Sequence, residues 1–286
     1  MRTRLVLVVI LAALFATAVA AQQPVQPVTY VAEFHVKPEK AEQFLELVKK
    51  YDQPIFEKLL AEGAVLAWGV DIPMLHQPGG ATHSFWWTSA DLAAFDKVFA
   101  ALEAQEKKIL EEDKKAAEAA RKAGKKAPKT FLESFLETID LSKHKDYLLR
   151  DAVTGSGSAQ PASGSMPYTL ISLVTVLPGK GDEYRRLWEE YNKPVYDKLA
   201  AEGALYGYAL GTEEAKSTDL FTHYVVVSMP NLAAREKVRA AFRADRAART
   251  PAERSMISGS FQAVVDESAG RTIILRSVIF QTAAPK

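Results

Sequence analysis

Few side chains in this sequence are suited to acid–base or ligand chemistry. There are five histidines, His35, His76, His83, His144 and His223, and no cysteine, which excludes thiolate zinc sites, disulfides and cysteine nucleophiles. Glu33 and His35 are two apart in a run of strand formers, so they share one face of a strand, opposite Ala32, Phe34 and Val36. A carboxylate turned to the interior needs a partner, and Arg150, in a strand expected to lie alongside, is the natural one. His83 follows Thr82 at the start of another strand. With Glu33 and His35 it makes two histidines and a carboxylate, the ligand set of a non-haem iron facial triad. Adjacent strands also juxtapose such residues by accident, and a hydrogen-bonded polar cluster explains them as well. A third reading makes His83 a general base or a ligand's hydrogen-bond partner, because imidazole titrates near neutral pH.

The aromatic residues Trp68, Phe85, Trp86, Trp87, Tyr206, Tyr208 and Tyr224 concentrate in the expected second and third strands of two similar segments. Alternation sends Phe85 and Trp87 to the face of His83 and Trp86 to the other, so one set lines either a core or a pocket for a flat apolar ligand. Tyr51 and Tyr191 each stand three residues before a proline, Pro54 or Pro194, within a predicted helix. The proline removes a backbone hydrogen bond and kinks the helix, leaving each tyrosine either a structural role or a hydroxyl within reach of a ligand. No P-loop, GxGxxG fingerprint, GxSxG elbow, HExxH or EF-hand pattern occurs, which removes the motif-defined nucleotide, serine-hydrolase and zincin classes.

The elements that must position these residues come in duplicate. Shifting the chain by 140 residues aligns Pro27–Glu103 with Pro167–Arg243 without a gap, with 23 identities in 77 pairs. Among them are Pro38/Pro178, Tyr51/Tyr191, Pro54/Pro194, Ala61-Glu62-Gly63-Ala64 with Ala201-Glu202-Gly203-Ala204, and Thr82-His83 with Thr222-His223. The register resumes at an offset of 126, pairing Arg150 with Arg276, so the first half carries a net insertion of 14 residues. That insertion falls in the Lys- and Ala-rich run 107–129, which reads as a solvated helical extension.

Each half reads strand, helix, strand, strand, helix, strand: 29–36, a helix ending at Gly63, 64–71, 82–88, a helix capped by Asp91, and 146–153. The second half repeats this at 169–176, a helix ending at Gly203, 204–210, 222–228, a helix capped by Asn231, and 272–280. The order βαββαβ predicts two ferredoxin-like units with both helices on one sheet face. Ile171 and Leu173 alternate with Leu170, Val174 and Val176, so the strand is apolar on both sides. The two bare sheet faces therefore cover each other, giving an intrachain α+β barrel across the Gly/Ser/Pro linker 154–167.

Arg2 and Arg4, an apolar run from Leu5 to Ala16 and small residues up to Ala21 match a secretory signal peptide, which predicts export to the periplasm or medium. The domains are then 1–21 signal peptide, 22–153 first repeat, 154–167 linker and 168–286 second repeat. The apolar stretch Leu5–Ala21 is short for a span, so no stable membrane insertion is expected after cleavage. With 36 Lys and Arg against 35 Asp and Glu, the chain has no surplus of positive charge for a nucleic-acid backbone.

Element order and the runs VKPEKAEQFLELVKK, VLPGKGDEYRRLWEEY and TSADLAAFDKV resemble the dimeric α+β barrel superfamily, which includes antibiotic-biosynthesis-type monooxygenases, EthD-like and NIPSNAP-like proteins and chlorite dismutases. The resemblance implies binding of a small apolar or aromatic molecule or of haem between sheet and helices, and oxidation without a metal in several members. The haem-degrading branch uses a histidine on the second helix, and Asp91–Arg121 contains none. The resulting expectation is an exported small-molecule-binding protein, with a cofactor-independent oxygenase or isomerase as its enzymatic form. His83 would be the base, Arg150 the anion stabiliser and Glu33 their companion. His35, Phe85, Trp87, Tyr51, Tyr191, His223 and Arg276 would contact the ligand. No cofactor is expected, non-haem iron or haem being the alternatives to that. The competing function class is a non-catalytic envelope structural or interaction protein.

Overall fold

The computed structural model describes residues 26–76, 79–216 and 221–283, so the predicted signal peptide lies outside the described residues. The chain begins with β1 (Val28–Phe34) and an interrupted helix, α1 (Ala41–Leu47) and α2 (Gln53–Ala61), joined by a π-helical turn over Val48–Asp52. The widened turn sits just before Pro54, whose missing N–H cannot close the regular ladder. The second half makes the same break as α5 (Gly181–Tyr191) and α6 (Lys193–Ala201), next to Pro194. Gly63 and Gly203 follow these helices with φ of 72° and 70°, a left-handed conformation that ends a helix without a Cβ clash.

The strands β2 (Ala67–Pro73) and β3 (His83–Ser89) come next, then α3 (Leu92–Lys122), α4 (Phe131–Leu136) and β4 (Lys145–Ser156). The second half continues from β5 (Tyr168–Val176) through β6 (Gly207–Lys216), β7 (His223–Met229), α7 (Leu232–Ala248) and α8 (Pro251–Gln262) to β8 (Val265–Thr282). Asp91 and Asn231 cap α3 and α7 through their side chains, accepting from Ala94 and Ala234 N–H. The extra length of α3 carries the Lys- and Ala-rich insertion. β8 is longer than expected because Asp266 and Val265 resume pairing with Thr175 and Val176 beyond a break in register.

The eight strands close into one antiparallel barrel in the order β1-β3-β2-β8-β5-β7-β6-β4. The sheets therefore do not merely stack face to face. β2 hydrogen-bonds β8 and β6 hydrogen-bonds β4, so the two four-stranded groups join edge to edge at seams on opposite sides of the barrel. The helices lie outside it. In the first half Phe44, Val48, Phe56 and Leu59 pack on the outer residues Val28, Trp68, Val70 and Trp87. In the second Leu187, Trp188, Val195 and Leu199 pack on Leu205, Tyr208, Leu210 and Val227. Burial of these side chains is the main stabilising contribution of each half, roughly 1.5–3 kcal/mol per large apolar residue. Strand alternation sends every second residue the other way, into the barrel.

Candidate functional site inside the barrel

The barrel encloses a cavity of about 330 Å³, lined by residues from all eight strands. Its wall is largely apolar and aromatic, with Val31, Trp86, Leu149, Ile171, Phe221, Val226, Ile273 and Phe280 among the contributors, but it also holds ionisable groups. Glu33 points into it, as its two-residue spacing requires. The companions of Glu33 differ from those expected, however. Tyr147 on β4 donates to Glu33 Oε2 at 3.1 Å, and burial together with the Glu33 charge holds its phenol well above the ordinary range.

Two further carboxylates stand in the cavity wall. Asp71, 4% exposed on β2, accepts from the Ser277 hydroxyl at 2.6 Å across the β2–β8 seam. Burial pushes its pKa up to about 6, against the pull of the Ser277 hydroxyl and of the nearby Trp86 indole. The indole favours the charged carboxylate without meeting hydrogen-bond geometry, so Trp86 Nε1–H is a buried donor without a partner. Asp151 on β4 accepts from the Tyr224 hydroxyl at 2.5 Å, and burial raises it to about 6 as well. Gly211 makes this contact possible. A Cβ there would come 2.3 Å from Tyr224 Oη and 2.4 Å from the Arg150 carbonyl oxygen. Exposed Leu75 and Arg271 mark the rim, and among the described lining residues Arg271 is the only lysine or arginine.

The structure separates the residues expected to work with Glu33. His83 belongs to the outer face of β3: its ring packs edge-on against Phe44 at 5.2 Å, and Nδ1 lies 3.1 Å from Thr82 Oγ1. Burial lowers its pKa to about 4, so the imidazole stays neutral at physiological pH with no cavity contact. His83 is therefore not the cavity's base. Phe85 and Trp87 share its face and pack around Phe56 in the helix-covered core, at 5.2 Å and 5.5 Å between ring centroids, while Trp86, Ser84 and Thr88 line the cavity. Arg150 lies across from Val28, which is fully buried beneath the helices, and so has the outward parity. It pairs with Glu214, not Glu33.

The remaining expected contacts also fall elsewhere. His35 follows the end of β1, and neighbouring burial and the charges of Lys143 and Lys145 lower its pKa. His223 mirrors His83 on the outer face, against Tyr184 at 5.4 Å, and borders a separate cleft beside Gly181 and Arg185. Tyr51 packs on Phe131 at 4.5 Å and Tyr191 lies under the Arg249 guanidinium at 5.2 Å, both in the helical layer. Arg276 alternates with the lining residue Leu275 and points away from the cavity. Sequence reasoning missed Asp71, Asp151, Trp86 as a lining residue, and Tyr147.

These positions do not fit iron or haem. Glu33 and His83 lie on opposite sheet faces, the cavity wall carries no histidine, methionine or cysteine, and its two tyrosines of note are committed to carboxylates. Among the described residues no group of three or more His, Asp and Glu side chains is arranged to hold a metal. The cavity thus presents Glu33, Asp71 and Asp151 from a largely apolar and aromatic wall.

No protein-family model matches the chain, and no curated protein matches it in sequence. Solved structures do match in shape. A candidate monooxygenase from Lactobacillus acidophilus NCFM aligns with a TM-score of 0.57 at 14% identity over 91% of this chain and 97% of its own. An anthrone oxidase-like protein gives 0.52 at 14% identity over 92% and 96%. A candidate monooxygenase from Fusobacterium nucleatum gives 0.56 at 11% identity over 91% and 96%. At such identities the likeness shows the fold alone, a closed antiparallel β-barrel with helices outside it.

Proposed function

We propose that this chain is an exported small-molecule-binding protein, formed by tandem duplication of a ferredoxin-like βαββαβ unit, whose ligand occupies the barrel interior. We further assign its chemistry to the cofactor-independent oxygenase or isomerase class. The observation that carries the reading is the enclosed aromatic cavity with the desolvated carboxylate Asp71 in its wall. Duplication is supported by the 23 identities and by a strand order that repeats as β4-β1-β3-β2 and β8-β5-β7-β6.

A carboxylate with a pKa of about 6 is ionised at neutral pH and is a stronger base than one in water. Asp71 is thus placed to take a proton from a hydroxyl or an activated C–H of an aromatic ligand, becoming the neutral acid. The ligand keeps the electron pair as an anion, and the unpartnered Trp86 N–H offers a hydrogen bond to its developing oxyanion. In an isomerase the same proton returns at a different carbon. In an oxygenase the anion donates electrons to dioxygen. Asp151, already bonded to Tyr224, supports the opposite wall.

Native mass spectrometry of protein purified from its producing cells tests the reading. Wild type should retain a small molecule that Ser228→Phe, which fills the cavity, excludes, while His83→Gln and His223→Gln retain it. Retention by Ser228→Phe, or loss from the two histidine variants with the fold intact, contradicts a ligand inside the barrel.

A further inference from the structure

The two inner walls of the barrel are chemically unlike at aligned positions. In the first half, register places Glu33 and Asp71 on the strands either side of Ser84, each directly opposite it. The aligned residues of the second half are Leu173, Gly211 and Tyr224, and all but Gly211 line the same cavity. One wall therefore carries two carboxylates around a short hydroxyl, and the other carries an isobutyl group and a phenol ring. Three lining carboxylates face one lining guanidinium, Arg271, which is exposed at the rim. The groups acting on Asp71 and Asp151 are hydroxyls and an indole, with no Lys or Arg among them. A buried carboxylate with no cation is unfavourable, and a bound cation offsets that.

We infer that the barrel interior takes a small organic cation, an amine carried on an aromatic body, with its ammonium over Ser84 between Glu33 and Asp71 and its ring against Trp86, Tyr224 and Phe280. The inference rests on the barrel interior being the ligand site. An ammonium donates hydrogen bonds that both carboxylates accept, and the aromatic lining adds cation–π attraction in a desolvated setting. A carboxylate-bearing ligand of the same shape meets three like charges and is excluded.

Titration calorimetry with three matched probes tests this: 1-naphthylmethylammonium, 1-naphthalenemethanol and 1-naphthoate, at pH 7.5. The ammonium should bind at least about tenfold more tightly than the alcohol, and the naphthoate most weakly. Glu33→Leu/Asp71→Asn, which copies the apolar character of the other wall, should erase the ammonium's advantage over the alcohol. Lowering the pH to 5 should weaken the ammonium alone, as Asp71 protonates. Ser228→Phe should abolish binding of all three. If the alcohol or the naphthoate binds as tightly as the ammonium, and Ser228→Phe still blocks it, the cation assignment falls while the barrel site stands. If ammonium binding survives Ser228→Phe, or no probe binds, the barrel site falls with it.

Discussion

Half one and half two of the barrel are alike outside and unlike inside. On the outer faces His83 and His223 each follow a threonine, pack on an aromatic residue of the covering helix, Phe44 or Tyr184, and have a pKa lowered by burial. Matched residues hold helix to sheet in both halves. On the inner faces Glu33, Asp71 and Ser84 stand where the second half has Leu173, Gly211 and Tyr224. A packing role explains matched residues. It does not explain why two inward carboxylates flank Ser84 where the second half has Leu173, Gly211 and Tyr224, because burying them opposes folding. The outer layer is packed alike in both halves, and the inner wall, where the proposed ligand site lies, is not.

The contrast breaks most severely at position 211. Gly211→Ala forces a Cβ into Tyr224 and into the Arg150 carbonyl, and should destabilise by about 3 kcal/mol in urea unfolding. An alanine at Gly63, where nothing lies within 4 Å, should cost only the left-handed backbone strain, about 1 kcal/mol.

Asp71→Asn sharpens the comparison from the other side. The folded pKa of about 6 lies above the usual 3.8, so the folded state binds the proton more strongly and stability falls as pH rises through 6. The amide keeps an acceptor for Ser277 and removes the charge. The variant should be more stable than wild type by about 1–3 kcal/mol at pH 7, an advantage that vanishes near pH 4. Stabilisation with loss of ammonium binding marks a residue retained for function.

The histidines predict the opposite pH trend. His83 has a folded pKa near 4 against 6.5, so the unfolded chain takes up the proton first and stability declines as pH falls from 6.5 towards 4. His83→Gln should remove about 1–2 kcal/mol of that decline at pH 5, and His223→Gln should act in the same direction. Calorimetric melting from pH 4.5 to 7.5 reads both. The smallest effect belongs to Arg150→Ala, which breaks a partly exposed pair with Glu214 and should cost about 0–1 kcal/mol with no change in ligand binding.

The element order, the proline-associated helix breaks and the inward direction of Glu33 were legible in the sequence, because each depends on local periodicity. Facing on the third strand was not. His83, Phe85 and Trp87 alternate with Ser84, Trp86 and Thr88, and both sets contain aromatic residues, so hydrophobicity does not distinguish the faces. The polar set turns inward because the closed barrel encloses a cavity, which period-two patterning alone does not reveal. Arg150 was misplaced for a related reason. Its parity follows from lying across from Val28 in the β1–β4 pairing, a register that period-two patterning does not supply. Asp71 carried a usable signal, an isolated acid in the apolar run AWGVDIP. Its partner Ser277 is 206 residues away and meets it at a bulged seam that no local pattern announces.

The central claim is that the ligand lies within the barrel, not between sheet and helices. Anomalous diffraction from crystals soaked with 4-bromo-1-naphthylmethylamine locates it directly. The account predicts a bromine peak inside the barrel, beside Trp86 and Phe280, with the ammonium density at Glu33 and Asp71. A peak under the helices beside His83 or His223, with the barrel interior empty, would contradict it.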